Sequence, residues 1–514
     1  MDPGEAFYLY RWGPFSCLCE GSLRLSECVQ HAGLGSMMIE PMTGVAAVVT
    51  TGIYCRPGCG ARPSPHNVRY YPFPAAAEAA GYRACLRCRP YRTEPPISSS
   101  SPELVCRAVQ LILDGALDGK TEHDLGARLF VSARHLRRLF LQHLGVTPDQ
   151  LARSSRTHFA RRLLDDTNLT IADIAFAAGF GSVRQLNRAC RDVFRATPKE
   201  LRARRRISDR LVADGGLLLR VPFQPPLDWE AMIRYFEARA IVGVEHVSDG
   251  IYRRTVTIDG DPGVLELSLG GPDHLLLQAH LPHWEGLIHL VRRARRIFNL
   301  DCDVEGATRY LAAHPDVGPL VRARPGIRPP GTWDPFETGV RAIIGQRISL
   351  GGANTIAART VGRYGTPVPG LRALGLTHLF PAPSTLATAD LRDLGLSPVR
   401  AAAVNAFAGA VADGELRLDR AGRLEQLVAS VTRIRGLGPW TAHYLALRMG
   451  EPDAFPATDR GLRRALSQGT LVGARELEHA ADCWRPWRAH AAIHLWLGRP
   501  PIAWQSMAAA DRRS

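Results

Sequence analysis

Gly436-Leu437-Gly438-Pro439-Trp440, followed by Phe455-Pro456-Ala457-Thr458-Asp459, couples a phosphate-gripping turn to one carboxylate. Leu424, Leu427, Val428, Val431 and Ile434 recur on one apolar helical face, Gly436 and Gly438 turn the chain, and Pro439 suits the first position of a second helix. Two helices joined by a glycine turn aim free backbone N–H groups outward, and such groups bind phosphate oxygens without reading bases. An ordinary helix pair with a glycine cap would carry the same pattern. On the second helix Trp440, Tyr444 and Leu447 share a face, placing two aromatic rings just beyond the turn. Asp459 precedes Leu462, Arg463, Ala465 and Leu466, which read as a further helix, so its carboxylate is expected near a positive dipole end. A simple helix cap is the plainer alternative.

Composition points to nucleic acid. The chain of 514 residues has a formal net charge of +15, and residues 51 to 206 hold 26 Lys or Arg against 13 Asp or Glu, so most of the excess sits there. Arg202 to Arg206 form a basic run read as a solvated linker end touching phosphate. The sequence shows neither a secretory signal nor a membrane-spanning run, so the expected location is the bacterial cytoplasm, at the nucleoid, with the chain acting as a monomer. Only two lysines occur, Lys120 and Lys199, and neither lies in the C-terminal half. Chemistry that runs through a Schiff base with a sugar aldehyde needs such an amine.

Two further patterns lie upstream. Cys55 and Cys59, then Cys85 and Cys88, form two short-spaced pairs that can close a tetrahedral thiolate site, most simply for one zinc. Disulfides and buried free cysteines are the alternatives, the former disfavoured in a reducing compartment. Ser132, Arg134, Leu136, Arg138, Thr147 and Pro148 recur fifty positions later as Ser182, Arg184, Leu186, Arg188, Thr197 and Pro198. Each set follows a short apolar helix and a turn, giving two helix-turn-helix units with recognition helices at Ser132 to His143 and Ser182 to Phe194. A helical repeat without DNA contact would look the same.

The C-terminal stretch, from about residue 215 to 505, resembles the 3-methyladenine DNA glycosylase II branch of the helix-hairpin-helix glycosylases. Phe336-Glu337-Thr338-Gly339-Val340-Arg341-Ala342-Ile343-Ile344-Gly345-Gln346, the hairpin, the Asp459 segment, and Trp484-Arg485-Pro486-Trp487-Arg488 with Trp496 carry that resemblance. It implies Asp459 as the catalytic carboxylate, Trp440, Tyr444 and Trp496 as the base pocket, and Gln346 with Arg347 in the loop that enters the duplex. Arg347 departs from the aliphatic or amide-bearing residue usual there and could fill the gap or bind phosphate. It further implies a monovalent cation on the carbonyls of Thr432, Ile434 and Leu437. A purine alkylated at N3 or N7 is already a good leaving group, so one carboxylate that stabilises the sugar cation or orients water suffices. The base must first leave the stack. Trp440 stands where lyase-type relatives place lysine, so a monofunctional enzyme is expected.

Thr50-Thr51-Gly52-Ile53-Tyr54-Cys55-Arg56-Pro57-Gly58-Cys59, Asn67-Val68 and Gly81-Tyr82-Arg83-Ala84-Cys85-Leu86-Arg87-Cys88 look like the metal-binding methyl-acceptor domain of Ada-type alkylation-response proteins. In that family the first cysteine, here Cys55, takes a methyl group from a DNA phosphotriester; a purely structural zinc knot is the alternative. The repeat looks like the AraC-type DNA-binding domain, with Arg134, Arg138, Arg184 and Arg188 toward DNA. An activator role would add RNA polymerase as a partner. No Pro-Cys-His-Arg motif of a second methyltransferase domain occurs.

The expected architecture is multidomain and mainly α with small α+β parts. It comprises an unassigned extension (1–36), a zinc-binding Ada-type domain (37–96), a double helix-turn-helix domain (97–207), a small sheet-and-helix domain (215–300), a helix-hairpin-helix glycosylase domain (301–506) and a tail (507–514), each main part with its own core. Strands are expected at 217–222, 251–259 and 264–279 with a helix at 228–238, and helices from about 283 to 500. The expected function is excision of N-alkylated purines joined to a methyl-sensing regulator. The alternative is a transcription activator whose glycosylase half is inert and only recognises lesions.

Overall fold

A computed structural model describes residues 44–92, 102–206, 209–211, 216–466 and 471–498. Tyr10-Arg11-Trp12, Cys17, Cys19 and Cys28, which the sequence leaves unassigned, and the tail lie outside the described residues. The described residues belong to one compact unit.

The zinc-type region is a four-stranded sheet ordered Val68–Tyr71, Val45–Val48, Ile53–Cys55, Arg83–Ala84, with one short helix, Pro74–Ala79. Seven helices follow. Glu122–Arg128 with Ala133–Leu144, and Ile171–Ala177 with Val183–Phe194, are the two helix-turn-helix units, joined by the long helix Pro148–Asp166. Their caps repeat as the sequence does. Thr121 and Asp124, then Thr170 and Asp173, form reciprocal capping boxes; Ser132 and Ser182 cap the recognition helices; Thr147 with Gln150 and Thr197 with Glu200 open the helices that follow, each with proline at the first turn. These side chains take up backbone donors that the helix itself leaves unpaired.

The glycosylase half begins with a five-stranded antiparallel sheet ordered Leu217–Pro222, His274–His280, Asp261–Gly271, Ile251–Ile258, Glu245–Ser248, with helix Trp229–Glu237 against it. Two expectations change here. The run 264–279 is two strands folded back at Pro272-Asp273, and Glu245–Ser248 is an edge strand whose few residues gave no clear alternation. Among the described residues beyond 283 the regular structure is helical apart from a small ladder, Thr366–Pro367 with His378–Leu379, and a single bridge from Leu376 to Gly243.

Helix Pro335–Ile344 is buried almost throughout and packs against Pro398–Ala412 and Pro439–Arg448. Its glycine has a local cause: a Cβ at Gly339 would sit 2.3 Å from the Phe407 ring, and that ring stacks on Phe336 at 5.8 Å. Glu337 of the same motif is 4% exposed and pairs with Arg254 at 2.8 Å.

The apolar interior does not divide at the expected boundaries. One continuous cluster contains Tyr54, Ala84 and Tyr91 of the zinc-type region, Phe159, Phe180 and Phe194 of the helix-turn-helix region, and Leu219, Leu267, Leu287 and Ile288 of the glycosylase half. Polar ties cross the same seams: Arg92 bonds Asp165 and Asp166, Arg220 bonds Asp166, and Arg128 bonds Asp419.

Candidate functional site

The hairpin forms as the glycines require. Helix Leu424–Thr432 and helix Pro439–Arg448 flank the turn, Gly436 adopts φ +92°, and Leu437 N–H donates to Ile434 O at 3.0 Å. A side chain is rarely tolerated at such a φ. Gly436 is exposed and Gly438 precedes the first turn of the second helix with extended backbone, so donors of that turn face outward. Thr432 ends the first helix and Ile434 follows it, at the end where carbonyls concentrate negative potential, while Leu437 lies in the turn just before the N-cap Gly438 of the second helix.

Asp459 joins this hairpin to the rest of the site. Its Oδ2 accepts the indole N–H of Trp440 at 2.9 Å, and its Oδ1 accepts that of Trp496 at 3.0 Å and the Leu462 backbone N–H at 3.0 Å. Cap and pocket carboxylate are therefore the same group. Trp440 stacks on Tyr444 with centroids 5.2 Å apart and planes at 7°, and Trp496 meets Tyr444 edge-on at 6.3 Å. The structure thus gathers Asp459, Trp440, Tyr444 and Trp496 into one half-buried group. Trp440 and Trp496 thus both contact the Tyr444 ring and donate the hydrogen bonds that orient the carboxylate.

The Trp484–Arg488 stretch works at one remove. Arg488 Nε and Nη2 hold Asp453 at 2.8 and 2.9 Å, Ala489 N–H bonds Pro452 O at 2.9 Å, and Trp484 packs edge-on to Phe455 at 5.9 Å. These contacts anchor the segment that delivers Asp459.

Two residues absent from the sequence-based site complete its rear wall. Tyr444 Oη accepts from Arg448 Nη1 at 2.9 Å and lies 3.4 Å from Tyr235 Oη. Arg448 stands four residues after Tyr444, so its side of the helix was legible; Tyr235 comes from the sheet-packed helix some two hundred positions away, and nothing local marks it.

In the loop after Pro335–Ile344, Gln346 Nε2 donates to Thr441 Oγ1 at 3.1 Å and to Gly436 O at 3.4 Å, tying this loop to the hairpin. Arg347 is exposed and held at φ +57°, a left-handed conformation costing about 1 kcal/mol for a side-chain-bearing residue.

In the zinc-type region Cys55 ends the strand Ile53–Cys55, and Cys85 follows its parallel neighbour with its N–H on Tyr54 O at 2.9 Å. The sulfurs of Cys55, Cys59, Cys85 and Cys88 all lie within 4.8 Å of one another, close to the ~3.8 Å edge of a zinc–thiolate tetrahedron. The hydrogen bond between Cys55 and Cys88 holds Cys88 down at about 5 and pushes Cys55 well up, so this pair does not ionise together unaided. A divalent cation removes that conflict, so the donor set fits zinc. Cys55 is the most enclosed of the four, at 7% exposure. Arg134, Arg138, Arg184 and Arg188 are all exposed along the recognition helices.

A four-thiolate centre, paired helix-turn-helix units and a hairpin beside a carboxylate define a class: DNA-acting proteins that combine a metal domain, a sequence reader and a helix-hairpin-helix glycosylase fold. Residues 43–91 match the metal binding domain of Ada, 125–204 a helix-turn-helix domain, and 218–334 the AlkA N-terminal domain. Over 473 residues the chain is 40% identical to the probable bifunctional transcriptional activator/DNA repair enzyme AlkA of Mycobacterium tuberculosis, spanning 90% of this chain and 94% of that one. The chain belongs to that family of bifunctional activator/repair proteins. Its C-terminal part is 33% identical over 285 residues to DNA-3-methyladenine glycosylase 2 of Escherichia coli, covering 53% of this chain and 95% of the relative. Among solved structures, a 3-methyladenine DNA glycosylase from Archaeoglobus fulgidus aligns with 54% of this chain and 97% of its own, at 24% identity and a TM-score of 0.49.

Proposed function

We propose that this protein repairs alkylated DNA by releasing N-alkylated purines of the 3-methyladenine type, and that it carries a methyl-sensing, DNA-binding regulator in the same chain. The observation that carries the excision reading is the double indole grip on Asp459. It leaves an oriented carboxylate beside stacked aromatic faces suited to a cationic base. With the base extruded between the rings, the bond from sugar C1′ to the purine nitrogen breaks, the electron pair leaves with the base, and Asp459 stabilises the positive sugar or orients the incoming water.

The hairpin donors at Gly436 and Gly438 hold phosphate, Arg347 supports the opened duplex, and the carbonyls of Thr432, Ile434 and Leu437 take a monovalent cation where helix-end potential favours one. With no lysine beyond residue 199, the product is an abasic site and not a cut strand. Zinc on the four cysteines would keep their sulfurs deprotonated yet nucleophilic. In the methyl-acceptor step Cys55 Sγ attacks the methyl carbon of a phosphotriester, the carbon–oxygen bond breaks, and the thiolate's negative charge leaves with the phosphodiester. That loss of charge from the protein strengthens binding to DNA through Arg134, Arg138, Arg184 and Arg188. RNA polymerase is the partner an activator requires, and the chain acts as a monomer in the bacterial cytoplasm; among the described residues no helix is long and apolar enough to cross a membrane.

Base release from alkylated duplex tests this reading. Wild type is expected to release base, Asp459→Asn to lose at least about a hundredfold in rate, and Cys55→Ala to keep release while losing methyl transfer to protein, read by mass. Equal inertness of wild type and Asp459→Asn would instead support a lesion-recognising activator.

A further inference from the structure

Behind Tyr444 lies an excess of buried positive charge. Arg448 is 6% exposed, and its hydrogen bonds run to neutral oxygens: the carbonyls of Pro330 and Gly331, Tyr444 Oη at 2.9 Å and Tyr235 Oη at 3.3 Å. The Arg239 guanidinium lies 3.9 Å from the centre of the Tyr235 ring. Arg341 pairs with Glu245 at 2.9 Å and Glu337 at 3.6 Å, and Arg254 shares both carboxylates. Arg239, Arg254, Arg341 and Arg448 thus stand against two glutamates. Among the described residues no carboxylate lies within ion-pair reach of Arg448 or Arg239. Such a wall would repel a cationic base, and a buried guanidinium without counter-charge is itself strongly unfavourable.

We propose that the Tyr235–Tyr444–Arg448 cluster, and not ring stacking alone, sets the preference of this pocket for a positively charged base, with Tyr444 supplying the missing negative charge. This rests on the base-excision reading above. Tyr444 is the specificity-determining residue because its ring lines the pocket, stacked on Trp440 and edge-on to Trp496. Arg448 and Tyr235 are positioning residues that act through it.

The charged and titratable groups around Tyr444 are Arg448 on its own helix, Tyr235 and Arg239 on the sheet-packed helix and its exit, and Arg341 with Glu245 beyond. Asp459 lies across the two indoles. Burial alone would raise the Tyr444 phenol, but Arg448, Arg239, the Tyr235 hydroxyl and Arg341 outweigh it and bring it down to about 8. Tyr235, fully enclosed, is pushed up by burial, so Tyr444 is the phenol that ionises.

The sign of the effect on catalysis follows. As the glycosidic bond breaks, positive charge leaves the base for the sugar, so a negative Tyr444 favours the bound cation more than the transition state. It acts on half-saturation and leaves the maximal rate without gain. The test is single-turnover release of 3-methyladenine from methylated duplex across enzyme concentration, between about pH 7 and about pH 9. In wild type the half-saturating concentration falls about fivefold with rising pH, the effect of one moderate cation contact. Tyr444→Phe abolishes that fall, and Tyr235→Phe moves its midpoint upward by removing one hydrogen bond to Oη. Ultraviolet titration of tyrosinate should show one tyrosine ionising ahead of the others in wild type and not in Tyr444→Phe. Release with a half-saturating concentration that ignores pH, or that falls equally in Tyr444→Phe, overturns the role given to Tyr444. Absence of release at every pH overturns the base-excision reading itself, and the proposal with it.

Discussion

Trp440 can be substituted so as to separate its two tasks. Trp440→Phe keeps a ring over Tyr444 but removes the N–H that holds Asp459 Oδ2. A hydrogen bond to a charged acceptor contributes about 1.5 to 3 kcal/mol, so the maximal rate of base release should fall roughly tenfold to a hundredfold. Half-saturation should change far less, because the stacking face remains. Single-turnover kinetics on alkylated duplex would check this; an unchanged maximal rate would show that Trp496 and Leu462 N–H suffice. Trp440 and Tyr444 were readable from helical spacing and Asp459 from its place before a helix, whereas Trp496 and the role of the carboxylate came only from the family resemblance. The hydrogen bonds among them were not readable, since whether an indole turns its N–H or its face toward a carboxylate depends on how three separate segments meet. Tyr235 shows the same limit in stronger form: a tyrosine on an amphipathic helix looks like any core residue until the packing of distant elements places its hydroxyl beside Arg448.

At the scale of elements, local chemistry was the most legible. The fifty-residue repeat reappears in the caps themselves, down to the left-handed residues that end the recognition helices, Gly145 at φ +70° and Arg195 at φ +56°. The strand pair within 261–280 was read as one because both arms alternate apolar residues and the turn between them is only two residues long. In the hairpin, Gly436→Ala forces a side chain into φ +92°, with its Cβ 3.0 Å from that of Ala403. We expect about 1 kcal/mol of lost stability, read from denaturant unfolding. A weakening of affinity for undamaged duplex should accompany it. Substituting exposed Arg347 by Ala should instead leave stability level, since alanine keeps the Cβ that φ +57° strains, while weakening lesion capture, because the loop carries that side chain outward.

For the whole molecule, ion pairs and apolar packing bind regions that composition alone would separate. Asp166 is the knot: its side chain is 3% exposed and receives both Arg92 and Arg220, from opposite ends of the described chain's N-terminal half. Asp166→Ala should cost about 2 kcal/mol: it removes the carboxylate paired with Arg220, which keeps the Asp209 carbonyl, while Arg92 keeps Asp165 and Asp209. Denaturant unfolding should show that loss as a shifted single transition; a zinc-type region that melts separately with the rest unchanged would mean the parts are only loosely joined. This docking was not legible, because an aspartate pair ending an amphipathic helix looks like an ordinary solvated terminus. The shared core also bears on modularity. Ile288 packs close to Gly179, and the Gly286 N–H reaches Phe176 O at 3.4 Å, so the surface a protein engineer would create by cutting the chain after residue 211 is an interior one. A severed C-terminal half would meet water with Leu287 and Ile288, residues the intact chain keeps covered. The excising half is therefore not a cassette to be lifted out unchanged; it would need new polar side chains on that face before it could stand alone.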